Sequence, residues 1–108
     1  MTDRAPDAHH ALVAEVSATR ADHLATPFPD GLRWVDAPSG ESAPALDAYL
    51  AGCIQTFITN HGTLDAERRQ VLIDCAAELA SLLGDLSGDE AVYVARMLRT
   101  ADLISAQP

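Results

Sequence analysis

The sequence predicts an all-α fold: a small antiparallel helical bundle of three C-terminal helices plus an N-terminal helix, with a Pro/Gly-rich extended linker. Three observations carry this. Between residues 63 and 84, Val71, Leu72, Cys75, Ala76, Leu79, Leu82 and Leu83 recur at three- and four-residue steps, the repeat of one helical face. The chain holds 20 Ala and 13 Leu, good helix formers, against only ten Val plus Ile, which favour strands. The links at 60–63 and 84–87 are short enough to force consecutive helices into antiparallel neighbours.

At 108 residues the chain fits one domain, 1–108. Residues 1–6 are expected to be flexible, as untethered termini are. A helix is expected over 7–25, with Asp7 as its cap. Its apolar stripe, Leu12, Val13, Val16 and Leu24, is thin, so it must lie on the rest of the protein. Residues 26–42 read as a turn and extended segment. Phe28-Pro29-Asp30-Gly31 suits a type I turn, with proline fixing the first central φ. Leu32 to Val35 would then be a short extended piece whose only pairing partner is the same piece of a second copy. Ala37 to Gly40 is another turn, and Ser39, Gly40 and Ser42 suggest a hinge.

The next helix spans 43–61, with Pro44 tolerated in its first turn and Leu46, Tyr49, Leu50, Cys53, Ile54, Phe57 and Ile58 on one face. Gly62 suits the left-handed position behind it. The helix over 64–83 follows, with Asp65 and Glu67 at its positive end and Gly84 closing it. Ile73, Ala77 and Ala80 extend its apolar character onto a second face. A helix apolar over more than half its girth is expected to be the central one, covered on more than one side. The last helix, 88–105, has a capping-box signature in Ser87 and Glu90, and Arg96 and Arg99 complement its negative end.

Sixteen Asp and Glu stand against seven Arg and no Lys, a net charge of −9. Such a surface repels phosphate backbones, so no nucleic-acid binding is expected. The ordinary meaning of the charge is solubility; the sharper one is a basic protein partner. No run of about eighteen apolar residues exists to cross a membrane. No secretory signal opens the chain, and two isolated cysteines make no disulfide framework, so a cytoplasmic setting is expected.

No catalytic, metal or cofactor motif stands out. His9, His10, His23 and His61 include no pair at the i, i+4 spacing of a zinc helix; Asp3, Asp7 and His10 are too few for a closed site. Cys53 and Cys75 fall within apolar stripes and read as small core residues. His61 lies about 12 Å along the helix from Cys53, too far to activate its thiol. Asp74 and Glu78 lack the E-x-x-H partner of a carboxylate metal site and read as a solvated stripe. Arg68 and Arg69 can pair with Asp65, and Arg96 and Arg99 with Asp102.

The candidate interface residues are Phe28, Arg33, Trp34 and Asp36 in the linker, and Leu72, Leu79 and Leu83 on the apolar helix. Trp34 either folds back as a lid on the core or makes an intermolecular contact. The expected function is that of a non-enzymatic, acidic interaction or regulatory protein, a homodimer that docks a protein partner. The alternatives are an inhibitor or immunity-type protein neutralising a basic enzyme, and a small enzyme or cofactor-binding bundle with a pocket between helices.

Overall fold

In the computed structural model, which describes residues 5–106, four helices pack together: α1 Ala5–Leu24, α2 Ala43–Thr59, α3 Ala66–Leu82 and α4 Gly88–Ser105. Single 3-10 turns lie at Asp30–Leu32 and Leu83–Asp85, and no strand forms among the described residues. The flexible terminus expected over 1–6 lies, for residues 1–4, outside the described residues. Ala5 and Pro6 already belong to α1, so Asp7 sits inside the helix rather than at its cap.

Local chemistry starts α2. Ser42 has extended backbone, and its hydroxyl accepts the Ala45 N–H at 3.2 Å while Pro44 occupies the first turn. Leu46, Leu50, Cys53, Ile54 and Phe57 then recur at helical spacing and are buried. The helix ends in a Schellman motif: Gly62 N–H donates to Phe57 O at 2.8 Å, and His61 N–H to Ile58 O at 3.1 Å. His61, not Gly62, is the first left-handed residue, at φ 58°; Gly62 follows at φ 93°. Gly62 has a further reason to be glycine. A Cβ there would come within 2.5 Å of His9 Nε2 and 2.6 Å of Val13 Cγ2 on α1. The bare backbone lets α1 close on the turn, where His9 Nε2 hydrogen-bonds the His61 carbonyl at 2.9 Å.

Asp65 caps α3, its carboxylate accepting the Arg68 N–H at 2.8 Å. The end of α3 tightens into the second 3-10 turn instead of stopping at Gly84. Ser87 occupies the N-cap of α4 with extended backbone, yet its hydroxyl makes no capping bond, so the expected capping box is not formed. The Glu90 carboxylate lies instead against Gly31, where a Cβ would overlap it.

The core gathers Leu46, Leu50 and Phe57 of α2, Leu72 and Leu79 of α3, and Val94, Met97 and Ile104 of α4, with Val16 and Leu32 closing it from outside. The position of α3 corrects the expectation of a central helix covered on more than one side. Val71 and Ile73 are 39% and 40% exposed, and Ala77 and Ala80 are exposed as well. α3 buries one face, against α2 and α4, whereas α4 packs on all three other helices. The second face of α3 tolerates water because alanine presents little apolar surface there.

Residues 26–42 differ from the extended segment expected. The turn runs from Pro29 to Leu32, closed by Leu32 N–H to Pro29 O at 3.1 Å, one residue later than Phe28–Gly31. Leu32 is 1% exposed, and sending it into the core bends the chain where an extended piece was expected. Asp36 and Ser42 then form one isolated antiparallel bridge, with Gly40 at the tip at φ 95°. The expected hinge is pinned: the Ser39 hydroxyl bonds Glu78 of α3, and Ser42 caps α2.

Candidate functional site

The linker residues part company. Phe28 is half-buried, its ring edge-on to Tyr93 at 5.4 Å and 84°. Trp34 points away and is 88% exposed, so it is not a core lid; Leu32 and Phe28 fill that place. Arg33 and Asp30 form an ion pair at 3.2 Å with both side chains largely exposed, worth at most about 1 kcal/mol. Asp36 is exposed beside them. A chain that leaves its sole tryptophan in water offers a large, rigid contact surface of the kind that anchors interfaces.

The helical candidates also separate. Leu72 and Leu79, 0% and 2% exposed, are consumed by the core of a single chain and present nothing to a second molecule. This corrects their assignment as interface residues: their three- and four-residue spacing marks the face turned toward α2 and α4. Leu83 alone reaches a surface feature. With Leu12 of α1 and Leu98 and Leu103 of α4, it lines an open apolar trough of about 750 Å³ along the outer side of α4.

A cluster of titratable groups lies between α1, α2 and α4. The ring of His23 rests on Tyr93 with centroids 4.1 Å apart, and the Tyr93 hydroxyl donates to Asp47 Oδ1 at 3.2 Å. Both ring nitrogens of His23 are buried without a protein partner. Burial lowers its pKa, and the Arg96 and Arg20 guanidiniums lower it further. Burial raises Asp47, against the opposing effects of the Tyr93 hydrogen bond and Arg20. Burial, with Asp47 beside it, also raises the Tyr93 phenol. This arrangement holds a neutral imidazole against a protonated phenol. Its members come from three helices, with no spacing in the sequence to reveal them.

Neither cysteine is poised as a nucleophile. Burial, then Cys53 and the carboxylates of Glu78, Asp74 and Glu41, push the Cys75 thiol up to about 11, so it stays protonated at neutral pH. Burial raises Cys53 as well, although Arg68 opposes it, and its thiol lies 3.5 Å from the Arg68 carbonyl. His61 is exposed at the α2–α3 turn, fourteen residues before Cys75, and the nine-residue rise of α3 from Ala66 to Cys75 alone spans about 14 Å along the helix axis. Among the described residues no group of three His, Cys, Asp or Glu could hold a metal ion. Asp3 lies outside the described residues.

The charges have a one-sided arrangement. Every arginine among the described residues is engaged within the chain. Arg20 bonds Gln55 and the Ala51 carbonyl, Arg33 bonds Asp30 and Arg68 bonds Asp65. Arg69 bonds the Ser105 carbonyl, Arg96 the Thr26 hydroxyl and Arg99 Glu15. Arg96 and Arg99 thus reach α1 and its end instead of Asp102. The carboxylates of Asp22, Asp36, Glu41, Glu67, Asp85 and Asp102 are exposed and lack such partners among the described residues. No helix among the described residues is long and apolar enough to cross a membrane. No protein-family model matches the chain, and no curated protein or solved structure matches it.

Proposed function

We propose that this is a non-enzymatic, acidic interaction protein of the cytoplasm that acts as a homodimer and docks a basic protein partner. The observation that carries the reading is the partition of charge: each arginine among the described residues is bonded to another group of the chain, while surplus carboxylates face solvent without such partners. A surface of this kind steers a cationic partner and raises its association rate. The exposed Trp34 supplies an apolar anchor on the same surface. The free, protonated thiols suit a reducing compartment.

Contacts between helices support an antiparallel order of neighbours. His9 meets His61 while Arg20 meets Gln55, the pairing expected of two helices that run in opposite directions. Arg69, near the start of α3, meets Ser105 at the end of α4. A second copy would use the outer side of α2 and α3. There Ala48, Gly52 and Thr56 line an open trough together with Tyr49 and Val71, themselves 49% and 39% exposed. Physiological salt screens the repulsion between two such chains beyond about 8 Å.

The partner is tested by retrieval on immobilised full-length protein at low and high salt. A retained basic protein that high salt releases supports the reading. Retention that ignores salt, or of acidic proteins only, refutes it. If that partner is an enzyme whose activity falls on binding, the role is inhibition; a partner left active makes the protein an adaptor. Light scattering tests the dimer: a mass of one 11.4 kDa chain at micromolar concentration rejects it.

A further inference from the structure

The trough along α4 is the largest apolar concavity described, and its form suggests what it takes. Leu98 and Leu103 of α4 line it together with Leu12 of α1 and Leu83, and its lining on α4 runs from Ala95 to Ala106. It is open along its length and holds no convergent buried polar group, unlike a small-molecule site. From Ala95 to Ala106 it follows eleven residues of α4, about 16 Å, which matches three turns of an incoming helix. At its rim Arg99 is neutralised by Glu15, leaving the exposed Asp102 as the unbalanced charge. The carbonyl end of α4 adds a partial negative charge at the Ala106 end.

We propose that this trough receives one amphipathic helix of a basic partner, its apolar residues seated among Leu12, Leu83, Leu98 and Leu103 and its cationic flank facing Asp102. The inference rests on the interaction reading above and names the partner's chemistry. Anchors at i, i+3 or i+4, and i+7 fill a trough of this length. Charge selects the occupant: Asp102 and the carbonyl end of α4 attract a lysine-flanked helix at contact distance, whereas a second copy, of net charge −9 and without lysine, brings no matching surplus of cations.

The test uses the full chain and two labelled 14-residue amphipathic peptides, identical in their leucines and carrying either Lys or Glu on the polar face. Fluorescence anisotropy should show the Lys peptide binding at least tenfold more tightly than the Glu peptide. Ala95→Arg, at an exposed helical position, should weaken the Lys peptide at least tenfold, and the uncharged plug Ala95→Trp should do likewise. Ala77→Arg, outside the trough, should change it less than twofold, and circular dichroism should show each variant folded. If Ala77→Arg weakens binding as much as Ala95→Arg, the peptide is held by diffuse charge and the trough assignment falls while the interaction reading stands. Failure of both peptides to bind also overturns the trough; salt-released retention of a basic protein would then keep the broader reading. If Ala95→Arg instead converts a dimer to a single chain, the trough is occupied by a second copy and the proposal is wrong.

Discussion

The Tyr93 hydroxyl donates a hydrogen bond to Asp47 Oδ1 at 3.2 Å, linking the second turn of α2 to α4 and supplying a partner for a carboxylate that burial disfavours. Tyr93→Phe keeps the ring that Phe28 and His23 pack against but leaves Asp47 unpaired, an expected cost of about 1–2 kcal/mol. Asp47→Asn retains an acceptor and removes the charge, so it should be neutral or stabilising at pH 7. Urea unfolding of both variants checks this; equal losses would show that Asp47 matters for its charge.

His23 sets a pH dependence. Its folded pKa lies below 6.5, so the unfolded chain binds protons more readily. Its contribution is intact above pH 6.5 and is lost as the pH falls from there toward the folded value. Asp47 acts oppositely: its raised pKa means that the penalty on its charge is relieved as the pH falls toward 3.8. Near neutrality His23 titrates first. His23→Phe keeps an aromatic ring on Tyr93 and removes two buried nitrogens lacking partners, so it should stabilise by about 1 kcal/mol. The fall in urea midpoint between pH 7.5 and 5.5 should shrink in this variant, which chemical denaturation measures.

Gly62→Ala should cost at least about 2 kcal/mol, because the backbone is left-handed there and the methyl would strike His9 and Val13. Gly84 has open space and no left-handed strain, so Gly84→Ala should be neutral or slightly stabilising. Thermal melting of the pair measures the difference, and equal melting temperatures would contradict the close approach of α1.

Adjacent residues on α3 should differ sharply. Leu72→Ala removes a fully buried side chain and should cost about 2–5 kcal/mol, whereas Val71→Ala, at 39% exposure, should stay within about 1 kcal/mol. Leu79→Asp should unfold the chain, and Glu78→Ala, which gives up a bond to Ser39, should be nearly silent. Circular dichroism at 25 °C reads both contrasts.

Helical character was legible wherever spacing and turn chemistry agreed. The apolar repeat from Leu46 to Phe57 and the Ser42 cap are local signals, and α2 follows them. What was not legible depends on residues far apart. Val71 and Ile73 look as apolar as Leu72 in sequence, and only the placement of α2 and α4 on one side decides which is buried. Glu90 had a capping role available and lies against Gly31 instead, because the 3-10 turn brings that backbone to it. Trp34 stays outside because Leu32, two residues earlier, takes the inward position. The His23–Tyr93–Asp47 group spans three helices, so no window of sequence contains it.

The seating of α1 reverses the order of synthesis and assembly. Residues 5–24 leave the ribosome before the other three helices, yet Glu15 waits for Arg99, 84 positions later, and Thr26 for Arg96, 70 positions later. The notch at Gly62 that admits His9 also arrives only after α2 is made. α1 therefore lacks its α4 contacts until α4 has emerged, and a nascent chain stalled before residue 96 would leave Leu12, Val13 and Val16 only partly covered, open to whatever chaperone is at hand.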